Sequence, residues 1–432
     1  MMQAQSESAP VLTKTTAWPY ILWLFPVLFF AYQFILRLWP GLMMHPIMQQ
    51  LSIDASQFGL IAAFYYYGYA GMQIPAALLL ERFGVARVMF GFALLCAIAT
   101  AMFTLSNSLW LSCLSRFLVG AGSAIGFLGV SQVIAHWFPK AHFARMTGFS
   151  FSLGLMGAVY GGKPVTLLID AWNWKQVGLM LAVAAFVIGS LIWIVFSMRR
   201  THAPRDTAGA SMTLSDFRPL LASRELWLLA LANLLMVGAL EGFSDVWGVP
   251  WLTVKYALNR ADAAQLVSFV YIGMLFGGPL LAALSLRFGN LAVIALSGVG
   301  IALIFCALLL SATMPLWELA VLFFVMGLLC CYQVIVFAAG AEAVRAEYLG
   351  VCIAFLNCIN MLGGSFFHTV TGRLLDRFWN GALSVDGIRL YSVEAYRQAL
   401  MVIPLCALLG VLLVVCLAWR SRLSGRCALN GV

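Results

Sequence analysis

The chain has little charge. Only 9% of its 432 residues are Asp, Glu, Lys or Arg, whereas 63% are hydrophobic. Soluble domains average about 25% charged residues, so a surface this poor in charge cannot wrap so large an apolar fraction. The composition excludes a soluble enzyme, a nucleic-acid-binding domain and a disordered scaffold. We therefore expect no nucleic-acid partner, in spite of the net charge of +9.

Motifs of nucleotide, metal and nucleophile chemistry are also absent from the sequence. It has no P-loop, no His-Glu-x-x-His, no Cys-x-x-Cys pair and no serine nucleophile elbow. Most of the ten cysteines lie inside apolar runs, where a free cysteine behaves as a small hydrophobic residue. We expect no enzymatic activity, no catalytic residue, no metal and no cofactor, so an ion gradient must drive any uphill process.

Long apolar runs dominate what is present. A helix that crosses a bilayer needs roughly 20 apolar residues, and twelve runs are long enough. They lie near residues 18–44, 57–80, 86–106, 109–137, 146–169, 176–198, 227–252, 264–286, 290–312, 315–341, 347–375 and 396–419. The sequence therefore predicts an all-α integral membrane protein with 12 transmembrane helices and the lipid bilayer as a partner.

A polar stretch after the sixth run divides the runs into six and six. We expect an N-terminal tail (1–17), a six-helix half (18–198), a linker (199–226), a second six-helix half (227–419) and a C-terminal tail (420–432). We expect no removable signal peptide. With both termini in the cytoplasm, 15 of the 25 basic residues lie on the cytoplasmic side and 7 outside, as the positive-inside rule requires.

A short motif recurs after every third run. Leu78 to Gly84 reads LLLERFG and ends the second run, while Leu284 to Gly289 reads LSLRFG and ends the eighth. Related sequences, LLIDAW and LLDRF, end the fifth and eleventh runs. Four three-helix units in two pseudo-symmetric halves form the repeat plan of one transporter architecture.

Two stretches of the sequence, one of which contains the LLLERFG motif, resemble the major facilitator superfamily. MQIPAALLLERFGVAR resembles its signature between the second and third helices, and SRFLVGAGSA resembles its Arg-x-x-x-Gly-x-Gly pattern in the fourth. The resemblance implies the major facilitator fold, secondary transport by rocking of two halves, a small-molecule substrate and a functional monomer. It also implies a gating role for Glu81, Arg82, Gly84 and Arg87, which would stabilise the outward-open state.

A narrower resemblance concerns three other stretches. FFAYQFILRLWPGLM, FYYYGYAGMQIP and EGFSDVWGVPWL are similar to the phagosomal nutrient transporters of intracellular gammaproteobacteria. That group imports amino acids and nucleosides, so the resemblance implies uptake of a small polar nutrient across a bacterial inner membrane. Gln33 stands where members of the group carry a Glu.

Charged residues inside the runs are rare and expensive, so each is a candidate functional residue. Arg37 lies inside the first run, one of four segments that line the central cavity in the superfamily. A guanidinium offers two parallel donors to a carboxylate, so we predict that Arg37 binds substrate, with Tyr32, Gln33, Asn357 and Asn360 as further contacts. The alternatives for Arg37 are an ion pair between helices and snorkelling.

Glu241 and Asp245 are the acids that lie deepest in the runs. Their i,i+4 spacing places them on one helix face, and two close carboxylates in low dielectric resist double ionisation. We therefore predict that one of them carries a coupled proton. The alternatives are static neutralisation of Arg37 and, for Asp245, exposure at the outer face. Arg116 is a third proton-coupling candidate on the resemblance, with a tether between helices as its alternative.

Two further residues have more than one interpretation. Lys163 binds an anionic substrate, pairs with Asp170, or snorkels to the outer interface. His368 titrates near neutral pH or serves as a structural hydrogen-bonding residue.

These features predict proton-coupled import of a small polar or anionic nutrient such as an amino acid. Arg37 holds the carboxylate and Glu241 or Asp245 carries the proton. The alternatives are proton-antiport efflux of a drug or metabolite, siderophore import or export, and a sensor that has kept the fold and lost transport.

Overall fold

The computed structural model describes residues 17–198, 222–345 and 348–429. These ranges are helical apart from short connections and a single isolated β-bridge between Leu383 and Arg389. Parts of three predicted segments lie outside the described residues: residues 1–16 of the N-terminal tail, residues 199–221 of the linker and residues 430–432 of the C-terminal tail.

Twelve long helical segments follow one another in the described ranges. The first half contains α1 (Trp18–Leu51), α2 (Ala55–Phe83), α3 (Val85–Leu105), α4 (Leu109–Trp137), α5 (Lys140–Trp172) and α6 (Trp174–Ser197). The second half contains α7 (Arg224–Tyr256), α8 (Arg260–Phe288), α9 (Asn290–Leu310), α10 (Leu316–Glu342), α11 (Leu349–Arg377) and α12 (Val393–Arg420). The predicted all-α membrane architecture is confirmed.

Eleven of these segments are long and apolar enough to cross a membrane by length and composition. The remaining one, α2, is 29 residues long and carries Tyr65, Tyr66, Tyr67 and Tyr69 in its middle. Tyr65 and Tyr66 are buried, and α2 packs between α4 and α11. The tyrosines lower the hydropathy of α2, and two of them are buried between neighbouring helices.

Several segments are interrupted, and α1, α4, α7 and α10 are among them. α1 consists of Trp18–Leu38, a 3-10 turn Trp39–Met43 and Met44–Leu51. α4 is divided into Leu109–Ser123 and Ile125–Trp137. α10 is divided in the same way into Leu316–Cys330 and Tyr332–Glu342. α7 consists of Arg224–Met236, a 3-10 turn Val237–Ala239, a π-helix Leu240–Trp247 and Gly248–Tyr256. α5 consists of a 3-10 turn Lys140–His142, Phe143–Gly161 and Lys163–Trp172. α12 is interrupted after Val393–Leu400, and its second part is a helix that continues beyond Arg420 as Val402–Leu429. Breaks of this kind are tolerated in apolar surroundings when other groups satisfy the freed backbone.

The repeated motif forms the same turn in both halves. Gly84 joins α2 to α3 with φ of +78°, and Gly289 joins α8 to α9 with φ of +85°. Each donates its N–H to a carbonyl four residues earlier, at 2.9 Å in both cases. A positive φ favours glycine because a Cβ is strained there, so the recurring Gly marks the pseudo-symmetric turn.

The two halves meet closely at one end, which we call the distal end. It carries the connections 52–54, 106–108, 173, 257–259, 311–315 and 378–392. There α2 packs against α11, and α5 packs against α8. At Gly59 of α2 an added Cβ would lie 2.4 Å from the carbonyl oxygen of His368 on α11. This contact is backbone against backbone, so the distal end is closed in this structure.

Candidate functional site

The centre of the bundle is a contact between α1 and α7, one helix from each half. At Gly41 of α1 an added Cβ would lie 2.8 Å from the carbonyl oxygen of Asp245 and the Cα of Val246. Both helices leave α geometry at this point, α1 as the 3-10 turn and α7 as the π-helix. π-Helical segments are rare and occur frequently at functional sites.

An arginine between two carboxylates occupies this contact. Arg37 of α1 donates from Nε to Oδ2 of Asp245 at 2.5 Å and from Nη2 to Oε2 of Glu241. The side chains are 11% exposed for Arg37, 2% for Glu241 and 1% for Asp245. The structure therefore brings together the three charged residues that the sequence singled out in the first and seventh runs.

Two tyrosines complete the surroundings of Asp245. Tyr66 of α2 donates its hydroxyl to Oδ2, and Tyr271 of α8 donates to Oδ1 at 2.6 Å. The Tyr66 hydroxyl is also 3.2 Å from the backbone carbonyl oxygen of Glu241. Its ring lies beneath the Arg37 guanidinium, whose Cζ is 5.3 Å from the ring centroid. The cluster therefore joins α1 and α2 of one half to α7 and α8 of the other.

Arg116 of α4 is buried next to the cluster and binds the backbone of α1. Its Nη1 donates to the carbonyl oxygen of Leu36 at 2.7 Å, and its Cζ lies 4.8 Å from the Tyr65 ring centroid. The helical donor to Leu36 is missing because residue 40 is Pro, which has no N–H. Arg116 thus satisfies the carbonyl freed by Pro40, which favours the tether between helices over the proton-coupling role.

The predicted neighbours of Arg37 on its own helix point elsewhere. The Tyr32 hydroxyl donates to the carbonyl oxygen of Leu181 on α6 at 2.5 Å. Tyr32 precedes Arg37 by five residues and so lies on a different face of α1; a substrate contact by Tyr32 stays a prediction. Gln33 is buried against Gly126 of α4, and its Oε1 has no hydrogen-bond partner among the described residues.

Other polar side chains of α11 lie in or near the core. Asn360 is buried and donates to Gln333 Oε1 of α10 at 3.3 Å, whereas Asn357 is only half-buried. His368 is fully buried, with its ring centroid 5.2 Å from that of Tyr66. Neither His368 nitrogen has a hydrogen-bond partner within the described ranges, so the structural hydrogen-bonding interpretation of His368 is not what the structure shows.

Lys163 contributes to closing the distal end. Its Nζ lies 3.0 Å from Asp262 Oδ1 and 2.8 Å from Gln265 Oε1, both on α8 of the other half. Of the alternatives for Lys163, the pairing with Asp170 is therefore not the one that the structure shows. Asp170 instead accepts from Arg260, which starts α8 and reaches it across the interface.

The four residues with a predicted gating role lie at the end of the bundle opposite the distal end. Glu81, Arg82 and Arg87 are exposed there, and Gly84 forms the turn between α2 and α3. The Arg82 Cζ lies 5.2 Å from the centroid of the neighbouring Phe83 ring. Gating by these residues stays a prediction.

Sequence reasoning missed the two tyrosines of the site. The consecutive aromatic residues around Tyr66 indicate a packing role, because successive side chains of a helix point in all directions around its axis. Tyr271 lies in an apolar run, and no motif in the sequence distinguishes it from a core aromatic residue. A usable signal was available in principle, because a buried phenolic hydroxyl usually finds a hydrogen-bond partner.

Within the described ranges, twelve long helical segments form two similar halves with buried ions at their junction, which is the architecture of a polytopic membrane protein. A family model described as Major Facilitator Superfamily matches residues 22–368. The chain therefore belongs to the major facilitator superfamily.

Curated relatives are distant and mostly matched over part of their length. The chain is 24% identical over 135 residues to the probable sulfoacetate transporter SauU of Cupriavidus necator, covering 31% of each chain. It is 27% identical over 179 residues to the probable galactarate/D-glucarate transporter GarP of Escherichia coli (strain K12), covering 39% of each. Probable anion transporter 6, chloroplastic, of Arabidopsis thaliana is 21% identical over 394 residues, which cover 80% of this chain and 72% of that protein.

Solved structures share the fold over nearly the whole chain. A bacterial homolog of the human lysosomal transporter Spinster superposes with a TM-score of 0.71 at 16% identity, covering 96% of this chain and 98% of that one. A nucleoside transporter NupG variant superposes with a TM-score of 0.73 at 11% identity, covering 93% and 99%. These similarities show the fold and carry no information on substrate.

Proposed function

We propose that the protein is a secondary transporter that imports a small organic anion together with protons. The observation that carries this proposal is Arg37, held between Glu241 and Asp245 where α1 and α7 meet. A guanidinium suits a carboxylate or sulfonate, because it presents parallel N–H donors to planar or tripodal oxygens. The relatives include probable sulfoacetate, galactarate/D-glucarate and anion transporters, and these names support an anionic substrate. The amino acid that the sequence predicts also carries a carboxylate, so it is tested beside the other anions.

Charge balance supplies the coupling. Around the cluster, the charged groups of the described core are two arginines, Arg37 and Arg116, and two carboxylates, Glu241 and Asp245. This set is neutral when all four are ionised. An uncompensated ion in such surroundings costs on the order of several kcal/mol. One bound proton leaves a net positive charge, and one negative charge on the substrate cancels it, so proton and anion bind best together.

The closed distal end supports alternation around this cluster. In this structure the distal end is closed by the α2–α11 packing and by the ion pairs Lys163–Asp262 and Arg260–Asp170. Opening it requires α1 and α7 to separate, which exposes Arg37 to the distal side. We propose that this side faces outward from a bacterial inner membrane, with both termini cytoplasmic and one chain as the functional unit.

Uptake by cells that overproduce the protein tests the proposal. The probes are radiolabelled sulfoacetate, D-glucarate and an amino-acid mixture, each with and without a protonophore. We expect accumulation of at least one anion that the protonophore abolishes, and no accumulation with Arg37→Ala. Arg145→Ala, which removes an exposed arginine, is the matched control and should transport normally.

Three outcomes would contradict parts of the proposal. Accumulation that survives the protonophore would exclude proton coupling. Lower probe content than in control cells, with resistance to toxic compounds, would establish efflux in place of import. Normal uptake by Arg37→Ala would remove Arg37 from the substrate site.

A further inference from the structure

We infer that the two carboxylates have different roles: Glu241 carries the proton and Asp245 is the permanent countercharge of Arg37. Tyr66 and Tyr271 are then positioning residues that hold Asp245 in its charged state. This inference rests on the proposed proton-coupled function and assigns its parts to single residues.

The hydrogen-bond donors around the two carboxylates are unequal. Asp245 accepts from three groups on three helices, namely Arg37 Nε, the Tyr66 hydroxyl and the Tyr271 hydroxyl, so both of its oxygens are engaged. Glu241 accepts from Arg37 Nη2 alone among the described residues. Donors that bind a carboxylate favour its charged form, and charge-assisted hydrogen bonds are about twice as strong as neutral ones.

Protonating Asp245 would disrupt more of the site than protonating Glu241. A proton on Asp245 converts an acceptor into a donor while two hydroxyls and a guanidinium N–H point at it. A proton on Glu241 loosens one bond to Arg37 and leaves the tyrosine contacts of Asp245 in place. The longer Glu side chain also has more rotatable bonds through which to turn away once it is neutral.

No other described group competes for these roles at close range. The titratable or charged side chains around the pair come from α1, α2, α4, α8, α10 and α11: Arg37, Tyr65, Tyr66, Arg116, Tyr271, Cys330 and His368. Among these, the two arginines are permanent cations, and the tyrosines and the cysteine act as neutral groups at physiological pH. His368 touches the Tyr66 ring rather than either carboxylate.

The assignment also locates the substrate. When Glu241 takes a proton, the Nη2 edge of Arg37 loses its partner while the Nε edge stays on Asp245. The anionic group of the substrate therefore binds the Nη edge, in place of Glu241. A substrate anion and an ionised Glu241 are mutually exclusive there, which makes transport obligatorily coupled.

Infrared difference spectroscopy on the purified full-length protein tests the assignment without any substrate. Stepping the pH from alkaline to acidic should produce a protonated-carboxyl band from the membrane interior. We expect this band to be lost in Glu241→Gln and retained in Asp245→Asn. The reverse pattern, or a band lost in neither variant, would overturn the inference and leave the proposed function standing.

Phenylalanine substitutions test the positioning residues. In Tyr66→Phe and in Tyr271→Phe we expect a second protonated-carboxyl band, because Asp245 has lost a donor to its charged form. Tyr332→Phe is the matched control, since the buried Tyr332 hydroxyl bonds to the Asn233 carbonyl oxygen at 3.2 Å, away from the cluster. A purely structural role for the two tyrosines predicts three identical spectra, and that result would overturn the positioning assignment.

Exchange measurements extend the test once a probe anion is transported. In proteoliposomes loaded with unlabelled probe, Glu241→Gln should keep exchange of labelled probe and lose proton-driven accumulation. Asp245→Asn should lose both, because Arg37 is left without its countercharge. Loss of exchange in Glu241→Gln alone would assign the countercharge to Glu241 and contradict the inference.

Discussion

Replacement of Arg37 by alanine should strongly destabilise the folded protein. It removes the ion-pair partner of Glu241 and Asp245, which are 2% and 1% exposed. Breaking a buried ion pair from one side typically costs about 3–5 kcal/mol. Loss of the guanidinium over the Tyr66 ring, at 5.3 Å, adds about 0.5–2 kcal/mol. We therefore expect a loss of about 4–6 kcal/mol in the free energy of unfolding, allowing for partial overlap of the two terms.

A neutralised variant separates the charge effect from lost packing. In Arg37→Met combined with Glu241→Gln, the buried charges that remain are Arg116 and Asp245, so the set stays neutral and Asp245 still accepts from Tyr66 and Tyr271. Replacing a buried ion cluster by neutral groups of similar volume is often close to neutral for stability. We expect this variant to recover most of the lost stability and none of the transport.

The assay is reversible unfolding in mixed micelles, followed by tryptophan fluorescence. Wild type, Arg37→Ala, the double variant Arg37→Met with Glu241→Gln, and Arg145→Ala are compared at one pH. Arg37→Ala within about 1 kcal/mol of wild type, a loss typical of exposed pairs, would refute the reasoning that the cluster is a buried ion site.

Other consequences of the structure are testable with single variants. Gly41→Ala places a methyl group 2.8 Å from the α7 backbone and should lower the uptake rate. Gly71→Ala is the control, because an added Cβ there meets nothing within 4 Å, and its uptake rate should equal that of wild type. Arg116→Ala leaves an α1 carbonyl unpaired and should cost about 1–3 kcal/mol of unfolding free energy. Lys163→Ala removes an exposed ion pair and should cost less than about 1 kcal/mol in the same assay. Burial raises the pKa of Asp54, which lies in the connection between α1 and α2. Its contribution to the free energy of unfolding is therefore complete below the ordinary Asp pKa and is lost as pH rises through the raised pKa. Asp54→Asn, which keeps the helix cap, should flatten the unfolding free energy across that range.

The architecture could be predicted from sequence because it depends on composition and spacing. Run length determines which segments can span a bilayer, and the repeated Arg-Phe-Gly motif ends α2 and α8 with the same positive-φ turn at Gly84 and Gly289. The start of α7 differs slightly: the structure begins it at Arg224, within the predicted linker, because Ser223 caps the helix.

The charged residues of the site could also be predicted, because an ion in an apolar run is rare enough to be weighed alone. Their geometry could not. The i,i+4 argument for Glu241 and Asp245 assumes an α-helix, whereas the segment is a π-helix. The roles of Tyr66 and Tyr271 depend on contacts across helices far apart in sequence, which no local pattern encodes. Tyr32 is the opposite case, because it is close to Arg37 in sequence but its hydroxyl bonds to α6 and lies outside the cluster.

Proton flux into proteoliposomes is the most direct test of the central claim that Arg37, Glu241 and Asp245 couple an anion to a proton. Purified protein is reconstituted with a pH-sensitive dye inside the vesicles, and sulfoacetate or D-glucarate is added outside. We predict acidification of the lumen with wild type and Arg145→Ala, and none with Arg37→Ala or Glu241→Gln. Entry of the anion without acidification, or equal acidification with Glu241→Gln, would contradict the account.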